Sequence, residues 1–232
     1  MHKILPTILG LLTVAALLTG CAKENVLKEP TKVGIQFVLD PSGAGGSDRL
    51  ALHSGYVVLE EVEIEGKRQE GAAFTFKRSF PSGLRLDFNA TNRVEELLFD
   101  LPQGEYEQLL VRFSTLGQAT SPCLMVLGEY AYSQPVNGSA WIDIAWSSQK
   151  SFERVVTTAQ GSVAFTLGQE PKMIQFTIQP KLWFKDISEV KLEQGICVNQ
   201  PRGQVMLINS ITNDNMFQVI NSELGTTLKA TL

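Results

Sequence analysis

The sequence is poor in histidine and cysteine, the side chains on which many nucleophilic and metal-dependent sites rely. Its 232 residues include two histidines and three cysteines. Apart from His2 at the extreme N-terminus, a Ser–His–Asp or Cys–His arrangement would have to use His53. The chain contains no Gly-x-Ser-x-Gly elbow, and its histidine count excludes a multi-histidine zinc site. We therefore expect no enzyme, no cofactor and no metal site, with a hydrolase as the least favoured function.

The sequence also lacks an apolar run long enough to cross a bilayer. The longest, residues 4–18, has 15 residues and is interrupted by Pro6 and Gly10. A spanning helix needs about 20 predominantly apolar residues. The run is instead typical of the apolar centre of a signal peptide.

The residues around this run complete a secretory signal. Lys3 supplies a positive start, and Leu18-Thr19-Gly20-Cys21 supplies small residues before a cysteine. This ending resembles a bacterial lipobox, which implies that residues 1–20 are removed and that Cys21 is acylated. We expect membrane lipid to be a partner through acylated Cys21, because two or more acyl chains anchor a protein stably.

The residues after Cys21 bear on which membrane carries the protein. Ala22-Lys23-Glu24-Asn25 lacks the aspartate at the second mature position that retains many lipoproteins in an inner membrane. Lys23-Glu24 resembles a charged signal for transfer to the cell surface. We expect an outer-membrane protein at the cell surface, with the periplasmic face as the alternative. Residues 21–31 are polar and are predicted to form a tether.

Charge excludes one class of partner. Without residues 1–20 the chain has 19 basic and 24 acidic residues and no basic run. A mildly acidic surface of this kind argues against nucleic acid as a partner.

Residues 32–232 alternate apolar and polar side chains with a period of two. Examples are Leu84, Leu86 and Phe88, then Leu109, Val111 and Phe113. Such alternation, with turns predicted at residues 81–83, 102–104 and 168–171, indicates an antiparallel β-sandwich. We expect one all-β domain, and a seam at residues 115–122 would be the boundary if there were two.

One short helix is predicted near the C-terminus. Thr212 or Asn213 is placed to cap it, Met216, Phe217 and Ile220 share one face, and Gly225 follows its end. A shorter helical turn is predicted near residues 185–190.

The segment Leu101-Pro102-Gln103-Gly104-Glu105-Tyr106, preceded by the long strand from Tyr56 to Ile64, resembles a pattern in uncharacterised bacterial envelope lipoproteins. Fimbrillin-like and transthyretin-like sandwich lipoproteins have similar turns. The resemblance implies a β-sandwich in the envelope. At such a turn proline presets φ, glycine frees it, and a tyrosine ring closes the sandwich edge.

The aromatic residues offer one binding hypothesis. Trp141, Trp146 and Trp183 are candidates for stacking on sugar rings, with core packing as the alternative for each. Trp141 and Trp146 are an odd number of residues apart, so a regular strand places them on opposite faces. One of the two is then free to be exposed.

Two further features have open interpretations. Cys123 and Cys197 can form a disulfide in an envelope protein, or pack as two core residues. Asp40 with Asp48, and Asn213-Asp214-Asn215, offer oxygen ligands for calcium, but neither fits the twelve-residue calcium loop. The glutamates at 60, 61, 63 and 65 alternate with Val62 and Ile64 and are predicted to line a solvated strand face.

These observations lead to two functional hypotheses. The first is an outer-membrane lipoprotein that presents a β-sandwich for binding or surface assembly, such as an adhesion or fimbria-like structure. The alternative is a surface glycan-binding protein of a nutrient-uptake system.

Overall fold

The computed structural model describes residues 29–43, 45–91, 94–134 and 138–232. Their strands are β1 (Thr31–Leu39), β2 (Leu50–Arg68), β3 (Phe74–Asp87), β4 (Leu98–Leu101), β5 (Gly104–Thr115), β6 (Leu124–Ala131), β7 (Ser139–Trp146), β8 (Ser151–Val155), β9 (Phe165–Leu167), β10 (Lys172–Ile178), β11 (Cys197–Gln200), β12 (Gly203–Ile208) and β13 (Lys229–Thr231). The helices are α1 (Glu189–Glu193) and α2 (Asp214–Leu224), with 3₁₀ segments at Glu95–Leu97 and Pro180–Phe184. The fold is the predicted all-β sandwich.

Two sheets form the sandwich. The smaller has four strands in the order β13-β10-β1-β4. The larger has nine strands. Seven of them lie side by side in the order β11-β12-β7-β6-β2-β5-β8, while β3 pairs with β2 and β9 pairs with β5. Most pairs are antiparallel as predicted, but β1–β10 and β7–β12 are parallel. The parallel pairs join strands far apart in the chain, which sequence alternation cannot reveal.

Strand β2 organises the larger sheet because it is 19 residues long. Its first part, Leu50 to Val57, pairs with β6, and its second part, Leu59 to Arg68, pairs with β5. Strand β3 covers its other edge. The larger sheet therefore has two halves: one around β6, β7 and β12, and one around β5 and β8.

The predicted turn at residues 81–83 is wrong, because β3 is continuous from Phe74 to Asp87. On β2, Leu59 lies opposite Leu84, whereas Glu61 lies opposite Ser79. Residues 80–83 therefore form a bulge instead of a chain reversal. Strand β3 pairs only with β2, and such an edge strand tolerates Pro81, which has no backbone N–H to donate.

The core that packs on the larger sheet contains two adjacent aromatic clusters. Between the two sheets, the ring of Phe113 in β5 lies 5.2 Å from that of Phe37 in β1 and 5.1 Å from that of Phe176 in β10. Beside this cluster, Trp146 of β7 packs against Trp183 of the second 3₁₀ segment, at 5.6 Å between ring centroids. Helical segments thus cover the part of the larger sheet that the smaller sheet leaves open.

The Leu-Pro-x-Gly-x-Tyr segment is the corner at which the chain passes from β4 in the smaller sheet to β5 in the larger one. The predicted turn is present, with Gly104 at a φ of 135°. The buried Tyr106 hydroxyl donates a hydrogen bond of 2.6 Å to the Pro102 carbonyl oxygen. Burial raises the pKa of Tyr106 to about 12. This tyrosine therefore fixes the crossing between the sheets.

Arg78 of β3 closes one margin of the sandwich. Its guanidinium donates to the carbonyl oxygens of Glu96 and Leu98, the latter at 3.3 Å, and lies 4.6 Å from the ring centroid of Phe99. Strand β4 is only four residues long and has no other neighbour on this side among the described strands. A side chain therefore occupies carbonyl oxygens that an additional strand would otherwise use.

The predicted C-terminal helix is confirmed as α2, with Met216, Phe217 and Ile220 buried. Asn213 stands at the N-cap position with a φ of 55°, but its side chain makes no capping bond. The shorter helical turn predicted near residues 185–190 is present in part: the second 3₁₀ segment ends at Phe184, Ile187 N–H donates to the Phe184 carbonyl oxygen, and α1 begins at Glu189.

Asn213 instead connects two backbone segments. Its Nδ2 donates to the carbonyl oxygens of Ile196 and Leu207, at 2.9 and 2.6 Å. Its Oδ1 accepts from the Ile196 N–H at 2.8 Å. The side chain thereby holds Ile196 beside Leu207 at the end of β12.

Candidate functional site

Two of the three candidate tryptophans lie in the core. Trp146 and Trp183 are fully buried, and their indole N–H groups donate to Asn221 Oδ1 and Thr227 Oγ1 at 3.0 and 2.6 Å. Neither ring has an open face on which a sugar can stack. The glycan-stacking hypothesis is therefore wrong for these two residues, and the alternative, core packing, is confirmed.

Trp141 is half-buried on the outer face of β7, opposite to Trp146, as the odd spacing predicts. Its Nε1 donates to the carbonyl oxygen of Arg202 at 3.0 Å. The Arg202 guanidinium carbon lies 5.6 Å from the centroid of the indole ring. Trp141 is thus the one candidate that remains near solvent, with an arginine beside it.

Around Trp141, the outer side of the larger sheet carries apolar side chains in adjacent cross-strand positions. Leu127 of β6 and Leu207 of β12 flank Asp143 of β7 on either side. No described element covers this side. We call it the apolar face, and it comprises Tyr56, Met125, Leu127, Trp141, Ala145, Val198 and Leu207, with fully buried Val205 among them and exposed Glu129 opposite Trp141. An uncovered sheet face ordinarily carries polar side chains, so this face has the character of an interaction surface.

Asp143 lies at the centre of the apolar face and is only 4% exposed. Its Oδ2 accepts from Nη2 of Arg202, which lies in the β11–β12 turn. Its Oδ1 is buried and has no hydrogen-bond partner in the described structure. A buried acceptor without a donor costs about 1–3 kcal/mol, so a rotation of the carboxylate that brought this oxygen to a donor from outside the chain would be favourable.

The other half of the same sheet side is charged. Arg112 of β5 bonds to Glu153, Glu63 and Glu65, with N–O distances of 2.6, 2.6 and 2.9 Å. Hydrogen bonding to these carboxylates, above all to Glu153, raises the pKa of Arg112. The glutamates of β2 alternate with buried Val62, as predicted for a solvated strand face. On this side of the sheet, charged side chains are therefore concentrated in the half around β5 and β8.

Sequence reasoning missed Asp143, Arg202 and the apolar face. A weak signal was present, since Met125, Leu127, Trp141 and Ala145 occupy outward positions of two strands and are not polar. Interpreting that signal requires the register that brings Leu127 and Leu207 to either side of Asp143. These three residues are far apart in the chain.

Most of the candidate calcium ligands, including Asp40 and Asn213, form hydrogen bonds within the protein itself. Asp40 Oδ1 accepts from the N–H and hydroxyl of Ser42, which lowers the pKa of Asp40, and Oδ2 accepts from Gln179. Asn213 connects Ile196 and Leu207, as described above. Within the described ranges, His, Cys, Asp and Glu form no group of three that could hold a metal ion. His53 is exposed and contacts Ser54 at 3.1 Å.

Both cysteines of the sandwich are free thiols. Cys123 is buried and donates to the Trp146 carbonyl oxygen at 3.2 Å, while Cys197 lies opposite Met206, which lies opposite Ile142. Positions 142 and 146 of β7 are about 13 Å apart at 3.3 Å per residue. The Cα atoms of a disulfide lie within about 7 Å, so the structure does not contain the bridge considered for Cys123 and Cys197.

The signal peptide, Cys21 and nearly all of the tether lie outside the described residues. In the part of the chain that is described, no helix combines the length and apolarity needed to cross a membrane.

Comparison with known proteins returned no matching family model, no matching curated relative and no matching solved structure.

Proposed function

We propose that the protein is a non-enzymatic lipoprotein of the outer membrane whose apolar face docks a protein partner in a surface assembly. One observation carries this proposal: a sheet side that no described element covers is apolar around a buried carboxylate with an unused acceptor. Docking a protein there would remove the apolar side chains from water and offer that acceptor a donor.

The position of the apolar face supports docking away from the membrane. The chain enters the fold at Glu29, whose carbonyl oxygen accepts from Gln103. The far end of β2, Arg68, pairs with Tyr106 close to that point. The apolar face lies beside the opposite part of β2, which pairs with β6. At about 3.3 Å per residue, that part lies tens of ångströms from the start of the fold.

The charged half of the same sheet side does not offer a comparable docking surface. It lies nearer to the tether, and its acidic side chains are paired with Arg112 in a solvated network. Such a network needs no partner to satisfy it. The apolar half leaves apolar side chains uncovered and one buried oxygen without a donor, whereas the charged half pairs its carboxylates with Arg112. Binding is therefore proposed at the apolar half alone.

A site-specific cross-linker tests the docking proposal. A photoreactive residue at Leu127 in intact cells is expected to give a discrete protein adduct after illumination. The same residue at Glu65, on the charged half, is the matched control and is expected to give none. Absence of an adduct at Leu127, or the same adducts at both positions, would contradict the proposal.

The anchor is tested separately. Cys21→Ser is expected to move the protein from the membrane fraction to the soluble fraction, because the acyl chains supply the attachment. Protease added to intact cells is expected to degrade the wild-type protein. Retention of Cys21→Ser on membranes would remove the tethering argument, and full protection from protease would place the protein on the periplasmic side.

A second function, glycan binding, is favoured by one observation. Trp141 is half-buried, with Arg202 against its ring and Asp143 two residues away on the same face. An aromatic ring with a donor and an acceptor beside it is suited to a sugar. Wild-type protein would then be retarded in affinity gels containing polysaccharide and Trp141→Ala would not, whereas equal mobility would end this alternative.

A further inference from the structure

We propose that the partner on the apolar face is a second copy of this chain, packed face to face with two-fold symmetry. This inference rests on the proposed function, since it requires that the face docks a protein. A two-fold interface uses the same patch on both copies, so the patch must be complementary to itself. The apolar face meets that requirement in two ways. At its centre, Asp143 and Arg202 can each pair with the opposite charge on the second copy, and around them the apolar side chains can pack against the same side chains of that copy.

The centre of the face carries an unused acceptor and unused donors side by side. Asp143 Oδ1 is buried without a donor. Arg202 makes one side-chain hydrogen bond among the described residues, to Asp143 Oδ2, and its side chain is 37% exposed. A guanidinium has five N–H donors and pairs with a carboxylate through two parallel bonds. Arg202 therefore retains donors that can reach a facing molecule.

Two-fold packing would pair these groups across the interface. Because Asp143 and Arg202 are neighbours on one patch, each copy brings an arginine to the other copy's aspartate. A rotation of the carboxylate would turn Oδ1 toward the second arginine. Each Asp143 would then accept hydrogen bonds from its own Arg202 and from the Arg202 of the other copy.

The apolar surround is also self-complementary, but it is small. It extends over five strands, and at about 4.8 Å between strands and 3.3 Å per residue its footprint is roughly 300 Å². A standard interface buries about 800 Å² on each partner, so the rim must contribute, including Ile196, which is 61% exposed beside Leu207. An interface of this size predicts a reversible dimer whose population depends on concentration.

Sedimentation equilibrium of the full chain in density-matched mild detergent tests the inference over a range of concentrations. We expect the protein mass to rise from one chain to two. Leu207→Lys is expected to weaken the dimer at least tenfold, because it places an unpaired charge in the apolar contact. Glu65→Lys, on the charged half, is the matched control and is expected to leave the dimer unchanged.

Cysteine cross-linking in membranes gives an independent readout that does not depend on detergent. With a bifunctional thiol-reactive cross-linker, Leu127→Cys is expected to form a covalent dimer, whereas Glu65→Cys is not; a linker is needed because Leu127 lies beside the two-fold axis, where the two cysteines are too far apart for a disulfide. A mass of one chain at every concentration, with no Leu127→Cys dimer, overturns the inference. If the Leu127 photo-cross-linker then captures a different protein, docking stands and only the second copy is excluded; if it captures nothing, both proposals fall.

Discussion

The hydroxyl of Tyr106 donates a hydrogen bond of 2.6 Å to the carbonyl oxygen of Pro102, four residues earlier in the chain. The bond closes the corner between β4 and β5, and the buried ring stacks on Phe165 at a centroid distance of 5.5 Å. The corner therefore depends on the hydroxyl for its hydrogen bond and on the ring for its packing.

Tyr106→Phe separates these two contributions. The ring remains, but the Pro102 carbonyl oxygen loses its buried donor, so we expect the free energy of unfolding to fall by about 1–2 kcal/mol. Urea denaturation followed by circular dichroism measures this. Tyr56→Phe is the control, because the Tyr56 ring lies on the surface under Arg85 and its change should have an effect below about 0.5 kcal/mol. Equal effects of the two variants would contradict the role of the corner.

Stability should decline at alkaline pH. Burial raises the pKa of Tyr106 to about 12, and the pKa values of Tyr130 and Tyr132 are also raised, mainly by burial. Tyrosine in the unfolded chain ionises near pH 10, so the folded state holds these protons more tightly. The associated stability is complete below about pH 10 and is lost as the pH rises from there toward 12.

Unfolding midpoints measured at a series of pH values check this dependence. Tyr106→Phe removes one of the three groups, so its stability should fall less steeply above pH 10 than that of the wild type. Identical slopes for the two proteins would show that Tyr106 ionises normally in the folded state.

Asp143→Leu should not destabilise the fold. The substitution removes a buried carboxylate that has a single charged partner and returns Arg202 to solvent. Removing one partner of an ion pair is destabilising when it leaves a buried charge, but the Arg202 side chain is 37% exposed, so we expect the free energy of unfolding to stay constant or rise by about 1 kcal/mol. Ile142→Ala, on the buried side of the same strand, should instead cost about 2–5 kcal/mol. A loss above about 2 kcal/mol for Asp143→Leu would mean that Asp143 holds the fold together.

Thiol titration checks the cysteine assignments. In a Cys21→Ser variant, denatured without reductant, we expect Cys123 and Cys197 to react as two thiols. In the folded protein Cys197 should react first, because it is half-buried whereas Cys123 is fully buried and hydrogen-bonded to Trp146 and Ser148. Absence of free thiols after denaturation would mean that the two cysteines are bridged.

The part of the fold that was predictable from the sequence is the part set by local alternation. Leu109, Val111 and Phe113 all face the core, and Trp141 and Trp146 face opposite sides, as the period of two requires. The helix at the C-terminus followed equally from local spacing. Side-chain alternation is a property of one strand, so it needs no knowledge of neighbours.

The rest depended on how strands pair. The turn signal at residues 81–83 was present, yet it became a bulge because β2 extends past it and continues the pairing. Arg202 bonds to Asp143 across 59 residues, through a parallel pair that brings β12 beside β7. Pairing register is a long-range property, and one sequence does not contain enough local information to set it.

Arg78 has a consequence for the behaviour of the protein at high concentration. Exposed backbone at a sheet margin is where identical molecules join into fibrils, each adding hydrogen bonds to the last. Here an incoming segment would have to displace a guanidinium from the carbonyl oxygens of Glu96 and Leu98 and from the ring of Phe99. At Leu98, where the short strand β4 begins, a single side chain from the opposite sheet therefore hinders cross-β polymerisation.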